Sequence, residues 1–254
     1  MAGNTSEPGV GQVERIARVL DVFDHGHRRL SFSEIVARSG LPKTTCHRML
    51  AGLVLHGFLQ TDTAGRYEIG SAMWEWGLLA PVEGDLRRVA LPYMQDLLAA
   101  TRQVVNLFVL DEGHAMLLER ISGSSVGAPL AAPGERLPLL RSAAGKVLLA
   151  QSTNSTDDAV RIGMAADPEA AVSEVAARDE LDRVRRQGWA MSSQSMHTGA
   201  WGLAVPIPLP KTLPPAAVGI VALAPIRDPQ RVMPALMVTA AAIARAVERH
   251  ALRD

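Results

Sequence analysis

The chain has 254 residues, 48% of them hydrophobic, enough for one large domain or two smaller ones. Its 26 Lys and Arg balance 26 Asp and Glu, which excludes a polyanion binder acting through bulk charge and confines any basic surface to a patch. The single cysteine excludes an intramolecular disulfide framework, no apolar run reaches the length of a membrane span, and the start MAGNTSEPGVGQVE lacks the pattern of a signal peptide, all of which fits a soluble cytoplasmic protein with no membrane partner.

Residues 1–11, small and polar, read as a disordered lead-in. Val13, Ile16, Ala17, Leu20 and Phe23 then fall at helical spacing, and His25-Gly26-His27 stops that helix. Ser31-Phe32-Ser33-Glu34 is a capping-box pattern opening a second helix, with Ile35 and Val36 on its apolar face and Gly40 at its end. Leu41-Pro42 opens a third, Pro42 suiting the first turn, and Gly57 closes it. Phe58–Thr61 and Arg66–Ile69 flank the turn Asp62-Thr63-Ala64-Gly65 and read as a hairpin. Three helices and a hairpin over 12–70 outline a winged helix-turn-helix.

Residues 71–84, with Met73, Trp74, Trp76, Leu78 and Leu79, read as a linker helix that either joins or dimerises, or simply packs on the next domain. A longer helix covers about Asp85 to Thr101. Val104–Leu110 and Ala115–Ile121 flank Asp111-Glu112-Gly113-His114, a hairpin signal. Ser142–Leu149 reads as helix, residues 152–175 as loops and a short helix, and Ala176–Gln187 as an amphipathic helix ended by Gly188. Trp201–Leu209 and Ala217–Ala224 read as strands, and a last helix starts near Asp228. Mixed strands and helices over 85–254 make a second domain, so the fold class is α+β.

Cys46 beside His47 raises the question of a nucleophile and its base. On a helix of 100° per residue, however, Cys46, Met49, Leu50, Leu53 and Gly57 share one side, while Thr44, His47, Arg48 and Ala51 share the other. Neighbours on a helix diverge, so the contact a dyad needs is not made. No second Cys or His stands at metal-ligand spacing, so neither a metal nor a cofactor is expected. Between His25 and Arg66, six Lys or Arg face two acids, a local charge of +4. Lys43, Thr44, Thr45, His47 and Arg48 on the third helix, with Arg66 in the wing, are donors suited to phosphate oxygens and base edges of double-stranded DNA.

Several segments resemble the IclR family of bacterial transcription regulators: Val13-Glu14-Arg15-Ile16, Leu20-Asp21-Val22-Phe23, Glu34-Ile35-Val36, GLPKTTCHRML at 40–50 and GRYEIG at 65–70, then PGERLP at 133–138, SAAGKVLLA at 142–150, RRQGWA at 185–190 and GAWGLAVPI at 199–207. They span nearly the whole chain in the family's order. The resemblance implies an N-terminal winged helix-turn-helix on operator DNA, a C-terminal GAF-like effector domain, and homodimers or homotetramers.

SAAGK admits three readings. As a phosphate loop it fails, because Leu140 and Val147 occupy two fixed positions of that motif. Ser142 and Lys146, four residues apart, could form a serine–lysine pair, which leaves a hydrolase as an alternative function. Third, the free N–H groups of Ala143 and Ala144 at a helix start could hold a carboxylate; Lys146 would then be a solvent-exposed helix charge. The resemblance favours the third reading, with Leu137 as an apolar partner. It also carries Arg141, Ser192, Gly202, Val221 and Leu223 over as pocket positions. Arg141 stands where a histidine is common, and the other four are less polar here than in relatives that bind small oxoacids. A more apolar pocket is therefore expected, for an organic acid or an aromatic or drug-sized effector, with Trp201 or Trp189 either as an aromatic wall or as core, and Gln194 and His197 as polar contacts. A regulator without a small-molecule response is the other alternative.

Overall fold

The computed structural model describes residues 11–77, 79, 84–123, 131–152, 155–168, 170–193 and 199–251. Chain contacts divide it into two compact units, Met1–Val82 and Glu83–Asp254. Gln194 and His197 lie outside the described residues. No described helix is long and apolar enough to cross a membrane.

The first unit comprises α1 (Gln12–Leu20), α2 (Phe32–Ser39), α3 (Lys43–Leu55), a hairpin of β1 (Leu59–Thr61) and β2 (Tyr67–Ile69), and α4 (Ser71–Gly77). The capping box is formed: Ser31 Oγ accepts from the Glu34 N–H while Glu34 accepts from the Ser31 N–H at 2.7 Å, satisfying two N–H groups that a helix start leaves open. Gly40 ends α2 at φ 66°, a left-handed conformation that a side chain would strain. Pro42 stands one residue before α3 rather than inside it. Leu30 exchanges backbone hydrogen bonds with Tyr67 and so ties the hairpin to the helices. Val19, Ile35, Cys46, Leu50 and Leu59 fill the core. The apolar side of α1 and the turn after it is in part the expected one, since Ile16, Leu20 and Phe23 pack against this core. Val13 is 80% exposed and Ala17 is exposed, while Val19 is fully buried, because the helix stops at Leu20 and packs through its C-terminal turn.

The second unit comprises α5 (Gly84–Thr101), β3 (Val104–Asp111), β4 (His114–Ile121), β5 (Arg136–Leu137), α6 (Ala143–Ser152), α7 (Thr156–Ala166), α8 (Glu174–Gln187), β6 (Ala190–Ser193), β7 (Trp201–Ile207), β8 (Ala216–Ala222) and α9 (Met233–Ala251). The strands form one antiparallel sheet in the order β5-β4-β3-β8-β7-β6. Strand side chains alternate between faces, and the two faces carry separate cores. Val105, Leu107, Leu203, Val205, Val218 and Ile220 pack on α5 and α9. Phe108, Leu117, Ala204 and Ala217 pack on α6, α7 and α8. Burial on both faces explains why β3 reads as the nearly unbroken apolar run VVNLFVL. Its one polar residue within that run, Asn106, lies on the face turned to α6.

Candidate functional site

The helix-turn-helix presents α3 as the wheel predicts. Cys46 and Leu50 are fully buried; Lys43, Thr44, His47 and Arg48 are exposed and Thr45 is half-buried. The Cys46 thiol donates to the Leu41 carbonyl at 3.8 Å and contacts Ser39 Oγ at 3.5 Å, whereas the His47 ring lies edge-on to Phe32 with centroids 6.2 Å apart. The two side chains therefore serve different faces. Among the described residues neither Lys43 nor Arg48 has an acidic partner. Arg66 is differently placed: its guanidinium pairs with Asp62 across the wing turn at 2.9 Å. Asp62 also accepts from the backbone N–H groups of Arg66 and Ala64, and these bonds, led by the Arg66 N–H, hold its carboxyl below the usual carboxylate range. On the edge of the same hairpin, the Arg29 guanidinium beside Glu68 does likewise for that carboxyl.

In the second unit a cavity of about 60 Å³ lies between the N-terminus of α6 and the sheet. The two-residue alternation brings Asn106 and Phe108 of β3, Val221 of β8, Gly202 of β7 and Ser192 of β6 onto that face, beneath Ala143 and Ala144, with Leu137 at the margin. Gly202 keeps the floor open: a Cβ there would stand 2.7 Å from Ser192 Oγ and 3.5 Å from the Ala143 methyl. Ser142 caps α6, its Oγ accepting from the Gly145 N–H at 3.0 Å and donating to the Pro138 carbonyl at 2.8 Å. The N–H groups of Ala143 and Ala144 have no acceptor among the described residues, leaving a positive helix end at the cavity. Asn106, only 5% exposed, has an Oδ1 without any hydrogen-bond partner among the described residues. No described lining residue is charged. Opposite Asn106 on β4 stands Arg120, which donates to the carbonyl of Ala131, a wall residue, at 3.1 Å.

Six of the eight expected pocket positions thus meet at one cavity: Leu137, Ala143, Ala144, Ser192, Gly202 and Val221. Arg141 and Leu223 do not. Arg141 forms a two-pronged ion pair with buried Asp167, at 2.8 and 3.1 Å, and so anchors the end of α7. Leu223 lies past the last residue of β8 and is half exposed. Of the two readings of the tryptophans, the structure bears out core for Trp189, which packs on the opposite face; neither Trp189 nor Trp201 is among the described lining residues, and Phe108 supplies the aromatic surface. Lys146 is not a solvent-exposed charge. Its Nζ donates to Glu180 at 3.0 Å and to the Met191 carbonyl at 2.9 Å, with 14% of the side chain exposed. It is a cross-brace from α6 to α8 and β6, and Ser142 is a helix cap.

Residues 12–63 match the IclR helix-turn-helix domain, and residues 81–249 match the bacterial transcriptional regulator IclR C-terminal domain. The chain belongs to the IclR family. It is 30% identical over 204 residues to the HTH-type transcriptional regulator XynR of Escherichia coli, covering 79% of this chain and 81% of that one. It is also 30% identical over 213 residues to the glycerol operon regulatory protein of Streptomyces coelicolor, covering 83% and 84%. Among solved structures, an IclR homolog from Microbacterium hydrocarbonoxydans complexed with 4-hydroxybenzoate superposes with a TM-score of 0.79 at 28% identity, covering 94% of this chain and all of that one.

As an IclR-type protein, the chain is a DNA-binding transcription regulator and not an enzyme, which removes the serine–lysine alternative. The IclR helix-turn-helix contains α3, and the IclR effector domain contains the α6 cavity. Sequence reasoning does not find Asn106 and Phe108 as lining residues. A signal exists for Asn106: a polar residue inside a buried strand is more informative than any apolar one around it.

Proposed function

We propose that this IclR-type regulator docks α3 in the major groove of operator DNA through Lys43, Thr44, Thr45, His47 and Arg48. Arg66 would reach the backbone or minor groove from the wing. A small organic acid in the α6 cavity would modulate that binding. The observation that carries the effector half is the pair of unsatisfied N–H groups at Ala143 and Ala144, which open onto the cavity. Such a helix start favours a carboxylate. The relative complexed with 4-hydroxybenzoate supports an acid of this kind. For docking, the supporting observation is the exposed charge of Lys43 and Arg48 on one face of α3, without an acidic partner among the described residues.

Operator recognition by two such units calls for a homodimer or a pair of dimers. The exposed apolar side chains of the first unit, Val13, Leu55, Trp74, Trp76 and Leu79, are 56–82% exposed and support an interface there. The acid changes DNA affinity only if it binds the two arrangements of the assembly unequally.

One observation favours a second reading. A cavity of about 60 Å³ is well below the roughly 300 Å³ of a drug-sized site, as expected of a regulator that responds to no small molecule. Fluorescence anisotropy on operator DNA tests both halves. Arg48→Ala should weaken binding with thermal unfolding unchanged, and a panel of organic acids should shift the wild-type affinity. Unchanged affinity in Arg48→Ala would sink the docking, and no response to any acid would favour the second reading.

A further inference from the structure

The outer face of α9 is uncharged over most of its length. Residues 232–244, VMPALMVTAAAIA, carry no charge between Arg231 and Arg245, a span of about 20 Å along the helix axis. Leu236, Ala240 and Ile243 turn inward and are buried in the core shared with α5 and the sheet. Pro234, Met237, Val238 and Ala241 make the opposite stripe, at the spacing of three and four residues that keeps side chains on one face. Met237 is 54% and Val238 66% exposed, Pro234 is exposed, and Ala241 and Ala242 are half-buried. The contrast is with α8, whose exposed side includes Glu174, Asp179, Arg183 and Arg186. Charged residues of that kind are what a solvated helix face ordinarily carries. A contiguous apolar stripe rimmed by charge marks a contact surface instead.

The side-chain sizes and the charges at the two ends say what covers it. Met237 and Val238 are large, and Ala241 and Ala242 one turn on are small. Two copies of α9 set antiparallel about a two-fold axis lay the large pair of each on the small pair of the other, which gives the self-complementary patch that a two-fold contact requires. With Val238 opposite Ala241 of the second copy, Arg231 stands opposite Glu248 of the second copy, and the pair occurs twice by symmetry. Both residues are exposed, Arg231 in the single turn Pro229–Arg231 that precedes α9. Centring the axis on Val238 would instead oppose Arg231 and Arg245, two like charges. Large-on-small packing and opposite-charge pairing therefore select the same register. We infer that the outer stripe of α9 pairs with α9 of a second copy of this chain, antiparallel, about an axis between Val238 and Ala241. One helix stripe is small against the roughly 1,200–2,000 Å² of a stable interface, so this contact joins copies already held elsewhere and supplies the second interface of a pair of dimers. It rests on the assembly reading above and on neither the operator nor the effector reading.

Sedimentation of the full chain over a range of concentrations tests this. Wild type should associate reversibly from dimers to pairs of dimers. Met237→Glu should weaken that step about a hundredfold, because the two-fold axis brings two carboxylates into an apolar contact, and should leave dimers with an unchanged melting temperature, since the side chain is exposed. If that variant does not fold, the charged ends decide. Glu248→Arg should weaken the step about tenfold, as expected when two exposed pairs turn repulsive, and Arg231→Glu added to it should restore the wild-type constant to within about twofold. A wild-type chain that stays monomeric would overturn the assembly reading and this proposal together. Dimers that form no pairs, pairs that survive Met237→Glu unchanged, or a double swap without recovery would overturn the α9 contact alone.

Discussion

Closing the cavity floor separates effector response from DNA binding. In Gly202→Ala the added methyl meets Ser192 Oγ at 2.7 Å and the Ala143 Cβ at 3.5 Å. The first neighbour is the end of a rotatable side chain, which swings away for about 1 kcal/mol; the second is ordinary contact. The fold should therefore survive with a melting temperature lower by only about 2–4 °C. The cavity should narrow: the added methyl projects between Ser192 and Ala143 into a space of only about 60 Å³. Crowding of that kind costs about 1–3 kcal/mol, so an acid should bind about ten- to a hundredfold more weakly. Anisotropy of labelled operator DNA, titrated with protein with and without the acid, should show wild-type affinity for bare DNA and no acid response. Leu223→Ala, outside the cavity, is the control and should respond as wild type does. A Gly202→Ala protein that responds at the wild-type acid concentration would place the effector elsewhere.

Lys43→Ala and Arg48→Ala should each flatten the salt dependence of operator binding by about one unit of slope per protomer, as expected when one phosphate is no longer neutralised. Arg66→Ala should do less, since Asp62 already neutralises that guanidinium; a larger effect than Arg48→Ala would reverse the ranking. Arg141→Ala should leave acid binding intact but cost about 2 kcal/mol in denaturant unfolding, because it strands buried Asp167. Cys46→Ala should cost about 1–2 kcal/mol of stability with operator affinity unchanged; weakened DNA binding in a stable protein would put the thiol back on the functional face. Acid should loosen the first unit. The Ser31 hydroxyl and N–H hold the Glu34 carboxyl below its ordinary range, and Asp62 and Glu68 are lowered by their own donors. Folded values below unfolded ones mean that this stability is complete above about pH 5 and is lost as pH falls through the folded values. Protection factors from hydrogen exchange in α2 and the hairpin, corrected for the intrinsic rate at each pH, should fall there and not at pH 6.

What is legible in the chain and what is not follows from the range of the interactions involved. The capping box at Ser31 and Glu34, the left-handed glycine at 40 and the split of Cys46 from His47 are settled within one or two helical turns, and spacing alone states them. Strands β5 and β6 give no sequence signal because two and four residues carry too little alternation to mark a strand. Their pairing comes from neighbours distant in sequence. The same limit divides the cavity residues. Ala143 and Ala144 are legible as a helix start, but whether Arg141 turns inward depends on Asp167, 26 residues away, and whether Leu223 lines the sheet depends on where β8 stops. Lys146 differs from its expected role for a related reason: its partners Glu180 and Met191 are 34 and 45 residues distant, and without them a lysine on a helix defaults to solvent. Asn106 is the instructive case in the other direction. Its position among valines and leucines marks it as buried, and a buried amide needs partners. The fold leaves its oxygen without one among the described residues, a fact that no pattern in the sequence states, because it depends on which side chains three neighbouring strands bring to that face.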